Sequence, residues 1–88
     1  MKKANSFIST FVDGNITETI EIFYDKNENI KSRRMTFQSD DILDMEEVFM
    51  SVVLSINGDI AEGFTIVDMN KMVDAHQGIY VTYVARRK

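Results

Sequence analysis

Cysteine, proline and tryptophan are all missing from this chain of 88 residues. Without cysteine there is no disulfide, no thiolate metal site and no thiol nucleophile. That absence suits a reducing compartment, so a cytoplasmic location is expected. Without proline there is no stiff Pro-rich linker. The four glycines are isolated, which excludes a Gly-rich phosphate loop. Histidine occurs once, as His76. No run approaches the roughly 18 apolar residues that a membrane-spanning helix needs. Lys2 and Lys3 resemble the start of a secretory leader. Ser6, Ser9, Thr10 and Asp13 interrupt the apolar stretch that should follow, so no leader is expected.

What is present describes one small folded domain over residues 1–88. Apolar residues make up 44% and charged residues 27%, ordinary values for a chain with a core. Six methionines and six phenylalanines supply bulky, adaptable packing. The net charge of −4 is unevenly spread. Residues 1–38 carry +1, residues 39–74 carry −8 and residues 75–88 carry +3. The acidic middle and the basic end are therefore separate features.

The local patterns give an element order. Ser6–Val12 reads as a strand, with Phe7, Ile8, Phe11 and Val12 among Ser and Thr. Asp13-Gly14 signals a hairpin turn. In Ile16–Tyr24, Ile16, Ile20, Ile22 and Tyr24 point one way and Thr17, Thr19, Glu21 and Phe23 the other. Ile30–Phe37 is a third strand after a polar turn. Ser39 or Asp40 is positioned to cap a helix, and Asn57-Gly58 to end it. Asp59–Gly63 is expected as a loop. Phe64–Val73 reads as a strand with Thr65, Val67, Met69 and Val73 on one face, and a short helix over residues 68–75 is its rival. Gly78–Ala85 is the clearest strand. The fold class is α+β: a two-layer sandwich of an antiparallel sheet and one helix, in the order β-β-β-α-β-β.

The helix over residues 42–56 has more apolar surface than one sheet needs. At about 100° per residue, Ile42, Met45, Val48, Phe49, Val52, Val53 and Ile56 share one face and are expected to meet the sheet. Leu43, Met50 and Leu54 form a second stripe beside it. That stripe requires its own cover, either the Asp59–Gly63 loop or another molecule.

Function is read largely by exclusion. Nucleophilic catalysis needs an activated Ser, Cys or Thr beside a base, and His76 falls in an expected turn. Asp40, Asp41, Asp44 and Glu47 are oxygen donors, but the spacing of a calcium loop is missing and helix capping explains them. No cofactor, metal or membrane partner is expected. The reading is a non-enzymatic protein-interaction module, an adaptor or inhibitor, that docks and forms a homodimer through Leu43, Glu46, Glu47, Met50 and Leu54. Small acidic α+β chains of this composition are common among phage and mobile-element accessory proteins. The alternative is a small nucleic-acid-binding domain using Lys31, Arg33, Arg34, Arg86 and Arg87, with Tyr80 and Tyr83 for stacking. These bases form one stripe only if the third and last strands are neighbours. The pI of about 4.8 weighs against that alternative.

Overall fold

A computed structural model of the chain describes residues 6–88. The elements are β1 (Ser6–Asp13), β2 (Ile16–Tyr24), β3 (Ile30–Ser39), a 3-10 turn (Ile42–Asp44), α1 (Met45–Ala61), β4 (Phe64–Asp74) and β5 (Gly78–Arg87). The sequence-derived order and the α+β class are both found. All five strands form one antiparallel sheet in the spatial order β1-β2-β3-β5-β4. Three of the pairings are hairpins between consecutive strands. The fourth, β3 with β5, arises because α1 carries the chain across the sheet to its far edge before β5 returns beside β3.

Turn chemistry sets the register. The β1–β2 loop is Gly14-Asn15, closed by the pair Asp13 and Ile16. Gly14 has φ +62 and Asn15 does not share a positive φ, the pattern of a type II′ turn. Between β2 and β3 the Asp25 carboxylate accepts from the N–H groups of Asn27 (2.8 Å) and Asn29 (3.0 Å). Gly78 opens β5 at φ +98, and a Cβ there would lie 2.1 Å from the Ser39 carbonyl oxygen. Only glycine lets β5 run this close to the end of β3.

The sheet has one covered face and one open face. Met35 and Phe37 of β3 lie opposite Tyr83 and Val81 of β5, and all four are buried. Val48 and Val52 of α1 close over them, with Phe64 from β4 and Ile16 from β2. On the open face Thr10, Thr19, Thr36 and Thr82 stand in one row across four strands. The Thr36 and Thr82 hydroxyl oxygens are 3.4 Å apart. α1 packs over β3, β5 and β4, leaving β1 largely exposed at the far edge.

The helix differs from its sequence reading in phase, start and end. Val48 and Val52 are buried, and Phe49 and Ile56 pack half-buried at the margin of the core. Ile42 is half-buried in the 3-10 turn, whereas Met45 and Val53 are exposed. The buried arc is rotated toward Ser55 and Asp59, because both make polar contacts with the sheet. Asn57-Gly58 does not stop the helix. It runs on to Ala61, and the left-handed glycine after it is Gly63, at φ +93. At the start Asp41, rather than Ser39 or Asp40, caps the 3-10 turn that leads into α1, accepting from Leu43 N–H at 2.9 Å. Ser39 supports the cap by donating its hydroxyl to Asp44 at 2.6 Å.

β4 is a strand throughout, not a helix. Val67 pairs with Val84 and Asn70 with Thr82, so one extra residue is accommodated between them. Asp68 takes φ +53 within this bulge. A bulge shifts the alternation by one residue. Val67 therefore does not share a face with Val73, as unbroken alternation had implied.

Candidate interaction surfaces

Leu43, Met50 and Leu54 are 86%, 58% and 66% exposed. The Asp59–Gly63 segment does not cover them, because its first residues belong to the helix itself. Glu46 and Glu47 are exposed on the same turns. Both carboxylates fall in the first turn of α1, where the helix dipole favours negative charge. The helix thus presents an apolar ridge with an acidic rim on the side away from the sheet. Among the rest of the acidic block, four members are engaged in the fold. Asp41 caps, Asp44 accepts from Ser39, and Asp59 and Glu62 meet Arg33.

The basic residues divide between two faces. β3 and β5 are neighbours, with Ser32 opposite Arg86 and Arg34 opposite Val84. Lys31, Arg34 and Arg86 line a shallow depression on the open face together with Phe23, Val84 and Asp68. Arg34 lies 3.6 Å from Glu21 across the strand pair. Arg33 and Arg87 belong to the other face. Their guanidinium groups lie 4.5 and 4.2 Å from the centre of the Phe64 ring, and Arg87 donates to the Glu62 carbonyl at 3.2 Å. The stripe of five bases is therefore three on one side and two on the other. Tyr80 and Tyr83 separate in the same way: Tyr80 is exposed on the open face and Tyr83 is fully buried.

Beneath α1 lies a polar network that the sequence reading missed. Tyr83 donates its hydroxyl to Asp59 at 2.5 Å and lies 2.5 Å from the Ser55 hydroxyl. Arg33 pairs with the other Asp59 oxygen and reaches Glu62 at 3.0 Å. Arg33 Nε is buried without a hydrogen-bond partner among the described residues. The available signal was spacing: Val48, Val52, Ser55 and Asp59 follow one another at three- and four-residue steps. Asp59 is buried between helix and sheet, while Glu62 at the margin of the network is exposed. The network fixes the helix against the sheet.

Burial and the bond to Asp59 push the Tyr83 phenol well above its ordinary value near 10. The unfolded chain ionises this tyrosine near pH 10, while the folded protein keeps it neutral. The stability so gained is complete below pH 10 and is lost as pH rises toward the folded value. Alkaline melting curves should thus decline from about pH 10 by up to about 1.4 kcal/mol per pH unit. Tyr83→Phe should remove that dependence. An identical alkaline slope in parent and variant would show that the phenol is not held neutral.

His76 sits in the turn before β5, where its N–H and that of Gln77 donate to Asp74 at 2.7 and 3.0 Å. Among the described residues no group of three or more acidic or histidine side chains is gathered to hold a metal ion. No helix among them is long and apolar enough to cross a membrane. Comparison with known protein families, curated proteins and solved structures finds no match to this chain.

One further surface had a readable signal. Phe7, Ile8, Phe11 and Val12 of β1 are 55%, 60%, 53% and 72% exposed. Adjacent apolar pairs, Phe7-Ile8 and Phe11-Val12, place apolar side chains on both faces of one strand. A strand with a single buried face alternates instead.

Proposed function

We propose that this domain is a non-enzymatic protein-interaction module, an adaptor or inhibitor, that docks on a larger protein through the outer face of α1. The observation that carries this reading is the exposure of Leu43, Met50 and Leu54 beside Glu46 and Glu47. Among the described residues 14 large apolar side chains are exposed, against 10 apolar residues in the buried core. A surface of that kind marks an interaction site when its apolar members are contiguous. The acidic rim defines the partner: an apolar groove bordered by Lys or Arg, which attracts the helix at long range and excludes acidic surfaces.

A Met50→Glu, Leu54→Glu variant should keep the parent's melting temperature, since both side chains already face water. It should lose the protein captured by the parent from native cell extract. Glu46→Lys, Glu47→Lys should weaken the same capture by slowing association, most visibly at low salt. Undiminished capture by both variants would reject the helix as the docking face.

A second reading draws on the pairing of β3 with β5, which brings Lys31, Arg34 and Arg86 around Phe23 on an open sheet face. Cations with an adjacent aromatic suit single-stranded nucleic acid. The net charge of −4, and Glu21 and Asp68 beside these cations, oppose it. At about 150 mM salt the parent should show no tight binding to mixed-sequence DNA or RNA. Sub-micromolar binding that falls with salt and with Arg34→Ala, Arg86→Ala would establish this reading instead.

A further inference from the structure

The two edges of the sheet are built differently. The β4 edge carries the usual protections: a bulge after Val67, Asp68 at φ +53, and the charges of Asp68, Lys71 and Asp74. These features stop an edge strand from templating another chain. The β1 edge has no bulge, and its one charge is Asp13 at the turn end. Ser6–Val12 contains no charge, no proline and no glycine, and all eight residues from Ser6 to Asp13 pair with β2 without a shift.

Its hydrogen-bonding groups that have no strand partner among the described residues follow from the register. The two-residue turn is closed by a hydrogen-bonded pair, Asp13 with Ile16. Hydrogen-bonded and open pairs alternate from there, so Phe11, Ser9 and Phe7 bond to β2. The N–H and C=O groups of Ser6, Ile8, Thr10 and Val12 point away from the sheet. They form an unbroken bonding edge along Ser6–Val12, an uncharged stretch that is apolar on both faces.

We infer that β1 pairs antiparallel with β1 of a second copy, joining the two sheets into one of ten strands. A two-fold axis at Ser9 satisfies the outward groups and places Phe7 of each copy opposite Phe11 of the other. Ile8 then lies opposite Thr10. No like charges meet within Ser6–Val12, so a second copy is as well matched as any foreign strand. An axis at Thr10 would instead set Phe7 against Asp13, which is why the Ser9 axis is preferred. The four exposed apolar side chains offer about 400 Å² in each copy, taking roughly 100 Å² for each. The pair, with the two backbone edges, falls at the small end of specific interfaces, as expected of a reversible dimer. This surface lies across the sheet from the outer face of α1 and leaves that face free.

Sedimentation of the full chain across the micromolar range should show a monomer–dimer equilibrium. Ile8→Lys, Phe11→Lys should abolish the dimer while keeping the far-ultraviolet spectrum of the parent. Met50→Glu, Leu54→Glu should leave the dimer unchanged. Ser9→Cys introduces the only thiol. In an open antiparallel pair the Cα atoms are about 4.5 Å apart, within disulfide range. Mild oxidation should therefore cross-link it completely. If the lysine variant does not fold, Thr10→Pro replaces it, because that N–H points off the sheet. A parent that stays monomeric at high micromolar concentration would overturn the inference. So would a dimer lost only in the helix variant, or a Ser9→Cys protein that oxidation leaves uncross-linked. None of these outcomes alters the capture result that tests the helix.

Discussion

An Asp59→Ala variant is expected to lose about 3–5 kcal/mol of folding stability, the cost of removing one partner from a buried ion pair. Asp59 is buried and accepts from both Tyr83 and Arg33. Its loss leaves the Arg33 charge beneath the helix with only Glu62, an exposed partner that contributes little. It also removes the acceptor of the Tyr83 hydroxyl. At roughly 0.05–0.15 kcal/mol per residue the whole domain is stable by about 4–13 kcal/mol. The variant should therefore unfold at a clearly lower denaturant concentration than the parent. The double change Arg33→Met, Asp59→Leu should recover much of the loss, because apolar pairs often replace buried ion pairs at no cost. Denaturant titration of parent, single and double variants decides it. An Asp59→Ala midpoint equal to the parent's would show that the network contributes nothing net.

Phe37→Ala should be comparably damaging, at about 3–5 kcal/mol, through lost burial together with the cavity left behind. Phe37 is fully buried in the middle strand and stacks on Tyr83, with ring centroids 6.4 Å apart and planes 12° from parallel. The surrounding positions belong to paired strands, so the backbone cannot collapse into the space. Phe37→Leu, which fills most of the volume, should cost clearly less. By contrast Phe49 lies half-buried at the margin of α1, so its truncation should cost less than that of Phe37. Equal losses at positions 37 and 49 would contradict the helix phase described above.

The fold was legible because most local signals agreed with the global arrangement. Alternation in β2 assigned Ile20 and Thr19 to the correct faces. Three features were harder to read for physical reasons. Gly58 looked like a helix stop because its intrinsic preference is poor, but the bonds of Asp59 to the sheet favour continuing through it. The β4 bulge is invisible in a composition of ordinary strand residues, and it reverses the faces beyond Val67. Strand order depends on which hairpins sit side by side, so the approach of Arg34 to Arg86 could not be seen until β3 met β5; the division of Arg33 from Arg34 follows from their adjacency in one strand and was not used. The exposed ridge of Leu43, Met50 and Leu54 was recognised as surplus from the sequence. Ser6–Val12 was recognised as a strand, but its lack of any second covered face was not used.

The partial cover provided by α1 divides the molecule into regions that open at different rates. Amide protons of β3 and β5 lie under the helix and between paired strands, so exchanging them with solvent requires unfolding the whole domain. Those that join β1 to β2 can be released by a smaller opening in which the exposed β1 leaves the sheet and the buried centre stays intact. β1 is then an opening unit of lower stability than the core it borders. Any contact that pins β1 from outside must slow exchange there while leaving Phe37 and Tyr83 as protected as before.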